Sequence, residues 1–294
     1  MMWSAYRINE QVNITNIYSL FETHYDCGFS FPGETHNFWE CFYVIDGSVC
    51  VSGDERVYNL TQNEIIFHKP LELHKFNIDN ENGATVFVFS FAAEGAVMDF
   101  FKNKVFRLLD NQTDIIKNML NYIHSKTKIT GIPKDTYYAL TYMFPFDKLQ
   151  TYPQMIATYI CQLLLSLCDD NDISVVSGSP DAVVFRKAVD FMNNNICRQP
   201  SISETALFCH VSETGLKRIF YKYSGLSIHK YFIAMKIRAA AELLKDGASV
   251  TEVSERLGFG SQGYFSAVFK RETGISPTEF KRNNPDTAGS QPIL

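Results

Sequence analysis

The stretch Ser249–Lys281, SVTEVSERLGFGSQGYFSAVFKRETGISPTEFK, decides the fold of the C-terminal part of this chain. It contains Ser-x3-apolar-x3-Phe, followed after four residues by Gly-apolar-Ser, and the same pattern occurs upstream at a constant offset of 49 residues. The two copies are Ser261, Phe265, Phe269, Gly274–Ser276 and, upstream, Ser212, Leu216, Phe220, Gly225–Ser227. This joint spacing predicts one small structural unit that is built twice.

Each copy predicts a helix with defined ends. Ser212 and Ser261 can each accept a hydrogen bond from a free backbone N–H at a helix start. Gly225 and Gly274 suit the left-handed residue that ends many helices. The apolar residues between them recur four positions apart, so they share one buried face. We therefore predict two helix-turn-helix modules, with each copy forming the second helix of its module.

The opposite face of each predicted helix stays in solvent. Arg and Lys on such a face can bind guanine or phosphate, and Gln can bind adenine. A solvated surface explains any single one of these residues equally well, but it does not explain the duplicated spacing. The exposed residues are Glu213, Thr214, Lys217, Arg218 and Tyr221 in the first copy and Gln262, Gly263, Ser266, Ala267 and Lys270 in the second.

The segments around the two copies complete the modules. Gly258 suits the tight turn of the second module, whereas Cys209-His210 stands at that place in the first and departs from expectation. Residues 228–246 are rich in strong helix formers and predict one linker helix, stopped by Gly247. At about 1.5 Å per residue, this helix can hold two recognition helices about 34 Å apart, which is one turn of DNA.

Residues 181–283 resemble the DNA-binding domain of AraC/XylS-type transcription regulators. The resemblance is carried by Leu257-Gly258-Phe259, Tyr264-Phe265, Val268-Phe269-Lys270 and Gly274-Ile275-Ser276-Pro277. It implies seven helices, binding to double-stranded promoter DNA and contact with RNA polymerase. It also implies base contacts from Thr214, Lys217 and Arg218 in the first module and from Gln262, Gly263, Ser266 and Ala267 in the second. With the capping Ser212 and Ser261 and the basic Lys270, these are the predicted DNA-binding residues.

Two positions depart from the pattern of that family. The family usually has Arg where this chain has Lys236, a change that keeps the positive charge. The family often has a larger polar residue at the position of Ala267. The second departure predicts that base recognition by the second module is weaker or depends mainly on Gln262.

Charge divides the chain into two parts. Residues 181–282 have a net charge of +5, whereas residues 1–180 have −9, and the whole chain has −5 with a pI of about 5.8. A basic module joined to an acidic body is typical of a DNA-binding protein with a separate regulatory domain. The seven cysteines include no CxxC pair and no secretory leader is visible, so we expect a reduced cytoplasmic location. No segment has the roughly 18 apolar residues of a membrane span.

Residues 38–91 predict short strands separated by turns, as in a β-barrel or a β-sandwich. The predicted strands are 38–45, 49–51, 57–60, 64–67 and 85–91, with a turn at Asp46-Gly47. The spacing of Gly28, Glu34, His36, Glu40, Gly47 and His74 resembles the cupin barrel, which is the sensor domain common in AraC-type regulators.

The cupin resemblance implies a site at Glu34, His36, Glu40 and His74, where metal-using cupins hold their metal. These ligand types suit Zn, Fe or Mn, but Glu replaces the first His, and the second motif has Asn63 and Leu71 in place of its usual glycines. Hydrogen-bonded pocket residues are an alternative. We favour a third option, in which these residues orient a small polar ligand. Phe38 and Trp39 are candidates for stacking on it, whereas His24 and His68 are expected at the surface or in turns.

Residues 111–170 return to helical spacing. One apolar stripe contains residues 115, 116, 119, 120 and 123, and a wider one runs from Met155 to Leu167. The barrel or a second copy of the chain must cover the wider stripe, and the family resemblance favours a homodimer. The predicted fold is α+β multidomain: a cupin-like barrel (1–110), a helical hairpin (111–170), a linker (171–180), an all-α tandem helix-turn-helix domain (181–283) and a flexible tail (284–294).

The predicted function is sequence-specific DNA binding controlled by a small-molecule effector, with a sugar or related metabolite as the class that the resemblance implies. One alternative is a metal-dependent cupin enzyme with a helical appendage. Another is a constitutive DNA-binding dimer whose barrel senses nothing. The chain shows no recognisable catalytic triad and no phosphate-binding glycine loop, so we predict no enzymatic activity and no cofactor.

Overall fold

The computed structural model describes residues 5–128, 142–143, 145–168 and 179–283. Most of the predicted linker (171–180) and the whole predicted tail (284–294) lie outside these residues. Among the described helices, none has the length and hydropathy needed to cross a membrane.

The N-terminal half of the described chain is an antiparallel β-structure followed by two helices. Its strands are β1 (Asn13–Tyr25), β2 (Trp39–Gly53), β3 (Arg56–Thr61), β4 (Glu64–His68), β5 (His74–Asn77), β6 (Ala84–Glu94) and β7 (Val105–Arg107). A 3-10 helix (Ala96–Phe101) precedes β7, and the helices α1 (Asp110–Thr127) and α2 (Thr151–Leu167) follow it. The main sheet has the order β1-β6-β2-β4-β7, while β3 and β5 pair with the second half of β2.

The long strand β2 gives this domain its shape, because its first half pairs with β4 and β6 and its second half with β3 and β5. The turn predicted at Asp46-Gly47 was wrong. The chain continues as strand there, with a register shift between Val44 and Asp46 that bends β2 without ending it. The strands β1, β5 and β7 were not predicted from the sequence.

Alternation along β2 separates two apolar cores. Phe42 and Val44 face the interior between the sheets, together with Val51. Cys41 and Tyr43 face the other side, where α1 and α2 cover the sheet. The apolar stripe of α2 is therefore buried within the chain: Ile156, Ile160, Leu163, Leu164 and Leu167 are all at most 1% exposed. The stripe consequently gives no argument for a second copy, and a homodimer stays a prediction.

The C-terminal domain has seven helices within residues 179–283, as the resemblance implied. They are α3 (Pro180–Asn194), α4 (Ile202–Cys209), α5 (Glu213–Ser224), α6 (Ile228–Lys245), α7 (Val250–Arg256), α8 (Gln262–Thr273) and α9 (Pro277–Asn283). Helices α4 and α5 form the first helix-turn-helix module, α7 and α8 form the second, and α6 is the predicted linker helix. The predicted fold class is thus confirmed.

Candidate DNA-binding surface and effector site

The two recognition helices begin and end where the sequence predicts. The Oγ atoms of Ser212 and Ser261 accept hydrogen bonds from the backbone N–H groups of Gly215 (3.1 Å) and Tyr264 (3.2 Å). At the other ends, Gly225 and Gly274 adopt the left-handed conformation. Both serines therefore start their helices, and whether they also contact DNA stays a prediction.

Helix α5 presents a basic face. Thr214, Lys217 and Arg218 are all exposed on it. The Arg218 guanidinium lies 3.3 Å from an Asp181 carboxylate oxygen, and two-thirds of its side chain is in solvent. Exposed ion pairs of this kind contribute at most about 1 kcal/mol. A DNA phosphate or a guanine edge can therefore replace Asp181 as the partner of Arg218.

Helix α8 presents a less charged face than α5. Gln262, Gly263, Ala267 and Lys270 are exposed and Ser266 is half-buried. The hydroxyl of Thr251 donates to the Gln262 side-chain oxygen at 2.9 Å, which orients the amide at the start of the helix. A Cβ added at Gly263 would meet nothing within 4 Å, so this position leaves the helix backbone open to a close approach.

Two exposed tyrosines extend these faces beyond the predicted base contacts. Tyr221 on α5 is 68% exposed and Tyr264 on α8 is 51% exposed. Tyr264 belongs to the aromatic pair that carries the family resemblance, which makes it look like a core residue. The helical spacing could have separated it from Phe265, which is fully buried.

The turn of each module contains a residue in the left-handed conformation, but the residue type differs between the two modules. Gly258 has φ +61° in the second module, and His210 has φ +58° in the first. A left-handed non-glycine residue is uncommon, but His tolerates this conformation better than most. Lys236 is buried beneath the second turn, where its ammonium donates to the Gly258 carbonyl at 3.3 Å. Burial lowers the pKa of Lys236, and its hydrogen bond to Gly258 joins α6 to the second module.

Four polar side chains converge on the interior side of the barrel. Glu40 on β2 and His74 on β5 share their strand faces with Phe42 and Phe76 of the interior core. Glu34 and His36 precede β2, and Glu34 pairs with the backbone of His74 in an isolated bridge. The ligand atoms of the four predicted residues Glu34, His36, Glu40 and His74 all lie within 4.8 Å of one another.

Backbone carbonyls fix the orientation of both imidazoles. His36 Nδ1 lies 3.0 Å from the Phe38 carbonyl oxygen, and His74 Nδ1 lies 3.1 Å from that of Glu72. Because a carbonyl oxygen only accepts, each Nδ1 carries the proton and donates it. Each Nε2 therefore points at Glu40, at 3.2 Å from His74 and 3.6 Å from His36.

The cluster holds opposite charges in a buried place. Burial alone would raise the pKa of Glu40, but the nearby imidazoles of His36 and His74 hold it far below its usual range. Burial alone would lower the pKa of His74, but Glu34 and Glu40 raise it to about 10. At neutral pH the site therefore contains a carboxylate at Glu40 and an imidazolium at His74.

A second buried pair lies directly beside this cluster. His68 stacks on His74 with ring centroids 4.4 Å apart, and its Nδ1 lies 3.1 Å from a Glu72 carboxylate oxygen. His68 is 1% exposed, so its expected surface position was wrong. Neither residue was predicted to belong to the site. Residue spacing on β4 could have found His68, because it is two positions from the buried Ile66 and thus on the same strand face.

The two predicted stacking residues occupy different places. The Phe38 ring stacks on His36 with centroids 3.9 Å apart, so it covers the cluster. Trp39 is 5% exposed and packs in the core on the opposite side of β2 from Glu40. Both residues also line a cavity of about 760 Å³ between the barrel and the C-terminal domain, but only Phe38 contacts the cluster.

The donor set fits a divalent transition metal. Two imidazole nitrogens and two carboxylates suit Zn, Fe or Mn. Metal-binding histidines usually donate their other ring N–H to a carbonyl or carboxylate, as His36 and His74 do here. Within the described residues, neither Nε2 has a hydrogen bond of good geometry. A polar ligand could accept from the protonated Nε2 of His74, whereas a metal would have to displace that proton.

Comparisons with known proteins match both domains. Residues 18–99 match the family described as AraC-like ligand binding domain, and residues 206–283 match the family described as helix-turn-helix domain.

Two relatives match most of the chain. The chain is 23% identical to the uncharacterized HTH-type transcriptional regulator YidL of Escherichia coli K12, over 84% of this chain and 76% of that protein. It is 25% identical to the uncharacterized HTH-type transcriptional regulator YfiF of Bacillus subtilis 168, over 84% and 77%.

A solved structure is similar over nearly the whole length. ToxT from Vibrio cholerae O395 aligns with a TM-score of 0.38 at 14% identity, covering 92% of this chain and 97% of ToxT.

The two family matches occur in the order in which the barrel and the tandem helix-turn-helix domain follow each other in the chain. This protein therefore belongs to the AraC-type transcription regulators, with a ligand-binding domain joined to a DNA-binding domain.

Proposed function

We propose that a small polar effector binds at Glu34, His36, Glu40 and His74 and thereby changes the affinity of the protein for promoter DNA. The observation that carries this proposal is the convergence of two buried Nε2 atoms and two carboxylates on one point of the barrel interior. Buried polar atoms without well-formed hydrogen bonds are costly. A ligand that completes these bonds would therefore bind with favourable free energy.

The charges of the site favour a ligand that both donates and accepts hydrogen bonds. The imidazolium of His74 donates, whereas the carboxylate of Glu40 accepts. Hydroxyl groups do both, so a sugar or a related polyhydroxy metabolite satisfies the cluster without adding charge. Phe38, stacked on His36 beside the cluster, supplies an aromatic face for the apolar side of such a ligand.

On the DNA side, we propose that α5 and α8 enter successive major grooves. The proposed base contacts are Thr214, Lys217, Arg218, Gln262, Gly263, Ser266 and Ala267. Lys270 would hold phosphate, while Ser212 and Ser261 at the helix starts would lie near the DNA backbone. In this arrangement the first module supplies most of the charged contacts and the second supplies a close backbone approach at Gly263.

We also propose that the protein acts as a homodimer and contacts RNA polymerase at the promoter. The surface available for a second copy includes Met155 and Leu165 of α2, which are 36% and 44% exposed. Sedimentation of the full chain and of Leu165→Glu tests the dimer, since a charge at the centre of an apolar interface should shift the protein to monomer.

A screen of sugars and metabolites by thermal shift tests the effector proposal. A binder should raise the melting temperature of the wild-type chain by mass action, and it should change the affinity for a DNA duplex selected from a random library. Glu34→Gln, at the exposed edge of the cluster, should weaken both responses. A ligand-independent DNA affinity across the whole screen would instead support a constitutive DNA-binding protein.

A second candidate is that the cluster holds a divalent metal, as the convergence of four ligand atoms allows. Elemental analysis of the purified chain decides between the two. Stoichiometric zinc, iron or manganese that is lost in His74→Gln would support the metal, and turnover of a small substrate by the loaded protein would support a cupin enzyme. Metal far below one equivalent would favour the polar effector.

A further inference from the structure

A buried ion pair joins the barrel to the linker helix between the two modules. Arg238 of α6 places its NH1 atom 3.1 Å from Asp54 Oδ1, and the side chains are 17% and 7% exposed. The second carboxylate oxygen of Asp54 accepts a hydrogen bond from Lys69 Nζ at 2.8 Å. Asp54 has φ +48° in the β2–β3 turn, and its side chain also accepts the backbone N–H of Leu73. This turn is therefore built to present a carboxylate to α6.

A chain of buried polar contacts connects that ion pair to the candidate effector site. The backbone N–H of Lys69 donates to a Glu72 carboxylate oxygen at 2.9 Å. The other Glu72 oxygen lies 3.1 Å from His68 Nδ1, and the His68 ring stacks on His74. His74 in turn lies 3.2 Å from Glu40 within the site. These contacts couple the position of the His74 ring, through His68 and Glu72, to the position of Lys69, which holds the second oxygen of Asp54.

A second set of contacts holds the recognition helix α5 against the same barrel face. The hydroxyl of Ser52 donates to the Tyr223 carbonyl, and Lys75 Nζ donates to the Tyr221 carbonyl at 3.1 Å. Gly33 has φ +92°, and a Cβ there would lie 2.9 Å from the Ser224 carbonyl oxygen. The ends of β2 and β5 thus touch the C-terminal turn of α5.

We propose that the Asp54–Arg238 pair is a latch that holds the DNA-binding domain on the barrel in a state of low DNA affinity, and that occupancy of the effector site releases it. The inference rests on the proposed function, because it names how that same site would control DNA binding. In the latched state an acidic body, with a net charge of −9 over residues 1–180, sits against α5 and repels DNA phosphates.

The ion pair is well placed to act as the switch. A buried pair remains favourable only while both partners and their other hydrogen bonds stay in position. Within the described residues, Arg238 NH1 has the Asp54 contact but no hydrogen bond of good geometry. A shift of Lys69 or Glu72, caused by a ligand at His74, therefore weakens the latch directly.

Asp54→Asn tests the latch in the full chain. Asn tolerates the left-handed backbone and keeps an oxygen for the Leu73 N–H, but it removes the charge that holds Arg238. Glu55→Gln is the matched control, since it removes one negative charge from the neighbouring residue, whose carboxylate lies beside Arg56. The readouts are the affinity for a duplex selected by the wild-type chain, and hydrogen exchange at residues 221–225.

The latch predicts that Asp54→Asn binds the duplex at least about fivefold more tightly than Glu55→Gln, at the low end of typical allosteric coupling. It also predicts faster exchange at residues 221–225 in Asp54→Asn alone. Equal affinities of the two variants, or unchanged exchange, would overturn the latch.

A double-mutant cycle tests the connection to the effector site. In the presence of a compound that the metabolite screen identifies, Glu34→Gln should lower DNA affinity in the wild-type background and have little effect in the Asp54→Asn background. Equal effects in both backgrounds would overturn the connection. Failure of the proposed function can be distinguished from failure of the latch. In that case no compound in the metabolite screen would change DNA affinity, while Asp54→Asn would still bind the duplex more tightly than Glu55→Gln.

Discussion

The two helix-turn-helix modules have the same construction but differ in what they present. Both recognition helices start at a serine cap and end at a left-handed glycine, and both bury a phenylalanine completely. The first module exposes Lys217 and Arg218 and touches the barrel at its C-terminal turn. The second exposes Gly263 and Ala267, and the buried Lys236 supports its turn.

This difference separates what specifies the fold from what specifies the function. The caps and the buried face recur in both copies, because each helix needs defined ends and an apolar stripe. The exposed residues have diverged, because packing does not constrain them. The first module combines the charged residues proposed to contact DNA with observed contacts to the barrel. We therefore expect an effector signal to reach DNA through this module.

Removing the buried aromatic ring should have the largest effect, and it should be similar in the two modules. Phe220→Ala and Phe269→Ala, at equivalent positions of the repeat, each leave a cavity in a core where the ring is fully buried, so each should destabilise its own module by about 3–5 kcal/mol. Hydrogen exchange of the full chain measures this for each module separately. A large loss in one module and a small one in the other would show that the two units are not equivalent.

The repeated unit was predictable from sequence because its signals are local. Ser212 and Ser261 cap within three residues, and the apolar residues between the caps and glycines lie within one helix. The left-handed turn at His210 was not predictable with the same rules, because His is only a tolerated substitute for Gly at such a position.

The candidate effector site was predictable only in part, because it depends on pairing between distant strands. Glu34, His36, Glu40 and His74 were found through their resemblance to a known spacing, and the structure brings them together. Spacing along β4 could have placed His68 on the interior face, but its position beside this cluster also required the register of β4 against β2, where it lies opposite Glu40. The contact between Asp54 and Arg238 joins residues of two domains, and no local pattern indicates it.

The side chains proposed to contact bases should show the next largest effect and should separate the modules. Arg218→Ala should weaken binding to the selected duplex by about 1–3 kcal/mol if the guanidinium contacts a base. Gln262→Ala should weaken it by about 1 kcal/mol, the lower end for a base contact. Titration of matched and mismatched duplexes measures both. An equal loss on both duplexes would assign Arg218 to phosphate rather than to a base.

Removing the helix caps should have a smaller effect that is again equal in the two modules. Ser212→Ala and Ser261→Ala each remove an acceptor for a free backbone N–H, which costs about 1 kcal/mol of stability. The controls are Ser212→Gly and Ser261→Gly, because Gly at the start of a helix lowers stability by only a few tenths of a kcal/mol. Thermal unfolding of the full chain measures the difference. If DNA affinity falls more than stability, the serines also contact the DNA backbone.

The smallest effect should come from any single lysine that holds phosphate instead of a base, and it should appear in the salt dependence of binding rather than in sequence preference. Lys217→Ala and Lys270→Ala remove exposed ammonium groups from equivalent faces of α5 and α8. If each neutralises one phosphate, each should reduce the slope of log affinity against log salt by about 1 and weaken all sequences alike. Lys230→Ala, on the linker helix α6, provides a third exposed lysine for comparison. A changed slope for Lys217→Ala alone would mean that the second module approaches DNA through Gly263 and the helix backbone, without help from its lysine.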